Sequence, residues 1–143
     1  MTQKVKVIAA LSTALLFIAC TSSNRFRPQS QYPPDPWVKG YASPDDCIGG
    51  EALAARHIPL PDYPKRALRQ GLQGWAIIKL DVDSDGYVTN IAVEDSVPEA
   101  IFARPTKKTV SKWKFQPLNN GKTSLRNCRV LIRYRMGKVM IAK

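Results

Sequence analysis

An α+β fold follows from three features of the sequence. Two adjacent period-two segments are joined by an acidic turn ending in Gly, a helix opened by Pro follows them, and a third alternating segment carries a basic outer face. The helix between the second and third strands crosses the sheet, so the third strand runs opposite to the first and pairs with it. The expected architecture is a three-stranded antiparallel sheet of order 2-1-3 with helices packed on one face, the third strand forming an edge. With 143 residues, 44% of them apolar, the chain supplies one modest core.

Residues 1–19 read as a secretory signal. Lys4 and Lys6 form a basic start, and Val7 to Ala19 is an uncharged run too short for a bilayer core, which needs about 20 residues. The segment Leu16-Phe17-Ile18-Ala19-Cys20 resembles the lipobox of bacterial lipoproteins, with Phe17 where Leu is usual. The resemblance implies cleavage before Cys20 and acylation of that residue. An ordinary signal peptide, or a marginal anchor that contains a cysteine, is the alternative. Thr21 is not the Asp that would imply inner-membrane retention, so outer-membrane anchoring facing the periplasm is expected.

The charge balance is strongly basic, with 22 Lys and Arg against 11 Asp and Glu and a net +11. Loss of residues 1–19 removes Lys4 and Lys6 and leaves a formal +9. In the periplasm nucleic acid is not an expected partner, and the charge would meet peptidoglycan, anionic lipid or acidic protein segments instead. Once Cys20 is lipidated, Cys47 and Cys128 make an even pair in an oxidising compartment and are expected to form a disulfide. One histidine, His57, and no Cys-x-x-Cys leave neither a metal site nor a catalytic constellation. No cofactor is implied beyond the covalent lipid on Cys20.

Residues 20–46 form a tether rich in Ser, Asn, Gln and Pro, with a reach below roughly 90 Å. Trp37 and Tyr41 either pack onto the domain or stay free. The folded unit is placed at 47–143. Glu51 to His57 is Ala-rich and predicts a short helix. A second helix follows to about Arg69, with Asp62 as cap, Pro64 in the first turn, Gly71 as stop, and Tyr63, Ala67 and Leu68 inward.

Gly74 opens the clearest strand, in which Ala76, Ile78, Leu80 and Val82 share one apolar face. Asp83-Ser84-Asp85-Gly86 is its turn, and Tyr87 to Asp95 returns, with the odd step from Val88 to Ile91 predicting a bulge or a twist. Asp81 to Gly86 matches half of an EF-hand loop, but the twelfth position is Ala92 and not Glu, which favours a plain acidic turn. The helix from Pro105 to Trp113 turns Thr106, Val110 and Trp113 inward, with Phe102 just upstream. Its outer face holds Arg104, Lys107, Lys108, Lys112 and Lys114, either merely solvated or touching an acidic polymer or head group. In the third strand Cys128, Val130, Ile132, Tyr134 and Met136 point inward, while Arg129, Leu131, Arg133 and Arg135 point outward.

The run Tyr63-Pro64, Ala67, Gly71, Gly74, Asp83-x-Asp85-Gly86-x-Val88, Ser96, Pro98, Phe102, Val110, Trp113-Lys114-Phe115 and Pro117 resembles the TonB C-terminal domain family over about residues 60–136. The resemblance implies a non-enzymatic domain that pairs with a strand of an envelope protein, such as an outer-membrane transporter or an assembly component. The family's energy transducer has an uncleaved membrane helix and a long linker, features this sequence does not match. The leading expectation is therefore a lipid-anchored binding or scaffold module that captures an extended segment on its third strand. Arg129, Arg133 and Arg135 would favour an acidic partner, or would protect the edge from pairing. A short energy transducer and a basic cell-wall tether are the alternatives, and pairing of two copies through the same strand stays open.

Overall fold

The computed structural model describes residues 26–38, 47–49, 52–119 and 123–142. The signal segment 1–19, Cys20 and Tyr41 lie outside the described residues.

The elements are β1 (Ala55–His57), α1 (Lys65–Arg69), β2 (Gly74–Asp83), β3 (Val88–Val97), α2 (Ala103–Val110), β4 (Lys114–Phe115), β5 (Ser124–Arg135) and β6 (Lys138–Ile141). Strands β3-β2-β5-β6 make one antiparallel sheet, and β1 pairs with β4 in a small second one. The expected 2-1-3 order survives as β3-β2-β5. A fourth strand is added beyond it, because Met136 (φ 52°) and Gly137 (φ 75°) both adopt the left-handed region and reverse the chain in a two-residue hairpin. The third strand therefore is not the edge along residues 132–135, which pair with β6. The same turn carries Met136 out of the core, to 50% exposure.

Alternation of β2 places Ala76, Ile78, Leu80 and Val82 at zero exposure, facing the helices. Opposite them on β5 lie Cys128, Val130, Ile132 and Tyr134, also buried. From α2 and its flanks Phe102, Thr106, Val110 and Trp113 close the core as expected. The Phe102 and Tyr134 rings stack at 4.2 Å, and Tyr63 meets both edge-on. Each buried polar tip has a partner: Trp113 Nε1–H donates to the Pro59 carbonyl at 2.8 Å, and Thr106 Oγ1 lies 2.6 Å from the Tyr134 hydroxyl. Burial pushes the hydroxyls of Tyr63 and Tyr134 up to about 12. Cys47 and Cys128 are joined in a disulfide, and Ile48 bridges Arg126 beside it.

Of the bulge or twist expected between Val88 and Ile91, a bulge is found, with Asn90 at φ 48° and a register shift opposite Lys79 and Asp81. A second shift occurs opposite Ile77 and Ile78.

Three local expectations are corrected. Residues 55–57 form a strand, since a short Ala-rich helix would have no buried face to offset its nucleation cost, whereas pairing with β4 satisfies the backbone. The helix expected to run to Trp113 ends at Val110, and Lys114 and Phe115 lie in that β4 partner. The N-cap of α1 is Pro64 with no side-chain cap, and Leu68 is 40% exposed; only Tyr63 and Ala67 reach the core from this segment.

The back of the sheet is apolar at its centre. Trp75, Ile77 and Leu131 are less than 9% exposed because Tyr32 and Val38, together with Val97 and Ala142, pack on them. Residues 26–38, expected as free tether, are thus a strap laid on the sheet. Gln29 N–H donates to the Gly71 carbonyl, Gln73 binds Ser30 twice, and Trp75 Nε1–H donates to the Pro34 carbonyl at 3.0 Å. Exposed Trp75 and Ile77 would leave a large apolar patch in water, which is the reason the strap is held. Gly71 is required for it: φ is +58° and a Cβ would fall 2.1 Å from the Arg27 carbonyl oxygen. Trp37 does not join the packing and is 88% exposed.

Candidate partner-binding edge

Side chains on a strand project from the faces of the sheet, while its hydrogen-bonding groups project from the edge. The outward residues of β5 therefore stand on the back face, and most of them have partners within the chain. Arg129 Nε donates to Glu94 at 2.6 Å, and Arg133 Nε donates to Asp35 of the strap at 2.8 Å. Arg135 sits over the Tyr32 ring at 5.3 Å, and Leu131 is 4% exposed beneath the strap. Tyr32 in turn donates to Asp35 at 2.6 Å; burial, then this hydrogen bond, raise its hydroxyl pKa far above the ordinary value. The arginines thus clamp the strap and β3 to the sheet centre rather than line an open edge. Tyr32 and Asp35 are the functional residues that sequence reasoning missed, because a polar, Pro-rich stretch carries no period that announces docking.

The hydrogen bond to Arg129 holds the Glu94 carboxyl below the ordinary value. A depressed folded-state pKa contributes stability above the unfolded value and loses it as pH falls through the folded one. Both side chains are more than one-third exposed, so the contribution is small. Arg129→Gln is expected to move the Glu94 titration upward in an NMR carboxyl titration; an unchanged midpoint would show that the pair does not form in solution.

The main-chain edge on this side of the sheet is β6. Ala142 N–H donates to the Leu131 carbonyl, and the register continues through Arg133 with Met140 and Arg135 with Lys138. By strand alternation the N–H and C=O groups of Val139 and Ile141 point away from β5, into solvent. Their side chains lie half-buried against the core, so the strand is fixed while its outer rim is offered. The opposite edge, β3, is interrupted by its two register shifts, which twist a strand away from further pairing.

Arg104, Lys107 and Lys108 on α2, Lys112 just beyond it and Lys114 in β4 are all exposed. Lys114 also stacks over Tyr87 at 4.5 Å. In the acidic turn Asp83 Oδ1 accepts from the N–H groups of Asp85 and Tyr87, while Asp81 accepts from Asn90 and from Asn127 N–H. These carboxylates organise the hairpin. Among the described residues no cluster of His, Cys, Asp or Glu is placed to hold a metal, and no helix is long and apolar enough to cross a membrane.

The fold is thus a small α+β domain whose four-stranded sheet ends on β6, a short and regular strand. The family described as Gram-negative bacterial TonB protein C-terminal matches residues 59–136, and the chain belongs to it. Protein TonB of Xanthomonas campestris pv. campestris (strain B100) is 34% identical over 83 residues, 57% of this chain and 37% of that protein. Protein TonB of Yersinia enterocolitica is 38% identical over 56 residues, 39% of this chain and 22% of that protein. The chain thus spans 22% to 37% of the length of these relatives. Among solved structures, the Pseudomonas aeruginosa TonB CTD solution structure superposes with a TM-score of 0.53 at 28% identity, covering 60% of this chain and 88% of that one. The tonB2 protein of Vibrio anguillarum shares the fold, with a TM-score of 0.50 at 24% identity, over 78% of this chain and 99% of that one.

Proposed function

We propose that this chain is a lipid-anchored, periplasm-facing binding module of the outer membrane that captures an extended segment of an envelope protein by strand addition. No catalytic role is assigned. The observation that carries the reading is the outer rim of β6, where Val139 and Ile141 offer backbone groups at strand spacing on a TonB-family fold. The partner class is the extended periplasmic segment of an outer-membrane transporter or assembly component. The exposed side chains of β6, Lys138 and Met140, would flank such a segment.

Proline has no N–H, and at Val139 and Ile141 the N–H is not used by β5, so Val139→Pro with Ile141→Pro removes the edge donors and spares the inner ladder. About a tenfold loss of affinity is expected for peptides copying extended periplasmic segments of outer-membrane transporters, read by calorimetry, from two lost hydrogen bonds. Wild-type complexes should protect the Val139 and Ile141 amides from hydrogen exchange. Undiminished binding by a folded double-proline variant would overturn the strand-addition reading.

The anchor is tested separately. Wild-type protein is expected in the outer-membrane fraction with an intact mass that lacks residues 1–19 and carries acyl chains, and Cys20→Ser is expected to lose both features. A second reading, a short energy transducer in the inner membrane, draws support from the match to proteins named TonB. Uncleaved protein in the inner membrane would favour it.

A further inference from the structure

We infer that α1 and the β5–β6 turn form a docking surface for anionic phospholipid head groups, pressed to the bilayer by the anchor. The inference rests on the Cys20 acylation proposed above and on where the fold first grips the chain. The Phe26 ring packs 5.6 Å from Tyr63, just ahead of α1, and a Cβ on Gly137 would lie 3.1 Å from Phe26 Cβ. The Arg27 carbonyl presses on Gly71, just beyond the other end of α1. Six Cα steps separate Cys20 from Phe26, a span of at most about 22 Å. The strap therefore converts a tether of tens of ångströms into a short leash, and the face beside the leash is the one that must meet the bilayer.

That face is basic and carries apolar tips. Lys65, Arg66 and Arg69 are exposed on α1, which contains no acid; Arg27, whose carbonyl presses on Gly71, and Lys138, next to the Gly137 that meets Phe26, are exposed as well. Among the described residues the two ion pairs are Arg129–Glu94 and Arg133–Asp35, so no described carboxylate neutralises these five cations. Asp62 is the acid adjoining α1 in sequence. Leu68 of α1 is 40% exposed and Met136, two residues before Lys138, is 50% exposed, a composition suited to an interface where charge meets head groups and short apolar groups enter the boundary. The leash selects the bilayer over the cell wall, since the bilayer is the surface within its reach.

The test places the purified full-length gene product, with whatever processing the cell has given it, in bicelles containing phosphatidylglycerol and a gadolinium-tagged lipid. Amide relaxation enhancement at residues 65–69 and 138 is expected to exceed that at residues 83–86 roughly threefold or more, falling toward uniformity at high salt or in phosphatidylcholine alone. Lys65→Gln/Arg66→Gln/Arg69→Gln, at exposed positions, should abolish the contrast with the thermal midpoint unchanged. The charge-matched Arg104→Gln/Lys107→Gln/Lys108→Gln should keep it. Uniform enhancement in the wild type, equal loss in both triple variants, or sedimentation with purified peptidoglycan but not with phosphatidylglycerol vesicles would each overturn the docking surface. Intact mass reports the anchor independently: a chain without acyl groups that still shows the contrast at α1 refutes the acylation and leaves the docking surface standing.

Discussion

Replacing Cys47 and Cys128 together by Ala is expected to lower the free energy of unfolding by about 4 to 4.5 kcal/mol. The bond closes a sequence separation of 81 residues and ties the segment ahead of β1 to the centre of β5, where Cys128 is fully buried. Opening so long a loop returns much conformational freedom to the unfolded chain, while the small alanine side chains leave little polar imbalance behind. For a domain near 100 residues the loss corresponds to a fall of about 15 to 30 °C in thermal midpoint. Circular dichroism melts of wild type, wild type with reductant and the double variant check it; a shift below about 5 °C would show that the covalent link adds little beyond the surrounding packing.

Gly74→Ala is expected to cost about 3 kcal/mol or more. Gly74 opens β2 opposite Tyr134, and a Cβ there would fall 1.7 Å from the Val97 carbonyl oxygen and 2.9 Å from the Phe102 ring. Neither obstacle is the loose end of a side chain: one is the backbone of β3, and the other is a core ring stacked on Tyr134. The end of β3 must shift or the Phe102–Tyr134 stack must open. Gly137→Ala provides the contrast. Its nearest obstacle is the Phe26 side chain at 3.1 Å, and its φ of +75° costs a non-glycine residue about 1 to 2 kcal/mol. Urea denaturation of both variants should rank Gly74→Ala as the more damaging, and the reverse order would contradict the packing at the start of β2.

Much of the core could be read from local pattern. The period of two in β2 and β5 names their inward residues because alternation in a strand leaves no freedom about which side chains share a face. The spacing of Thr106, Val110 and Trp113 does the same for the α2 segment. Partners of the sheet back were not legible: Trp75 and Ile77 break the polar side of an otherwise clean alternation, yet nothing in residues 26–38 states that they cover this patch. The fourth strand was missed because Met136 is a poor advertisement for a left-handed turn residue, and only the Gly beside it carries the signal. That omission moved the candidate site, since an edge is defined by the strand that is absent beyond it.

Sequence by itself determined the α+β class, the two strand faces, the α2 basic face and the family resemblance, because each depends on neighbours within a dozen residues or on a motif. Tertiary structure alone decided that β6 covers β5 along residues 132–135, that Arg129 and Arg133 are paired within the chain, and that the Pro-rich segment is a strap. Those outcomes depend on contacts such as Arg133 with Asp35, 98 residues apart, whose energy exists only once the sheet has brought the two together.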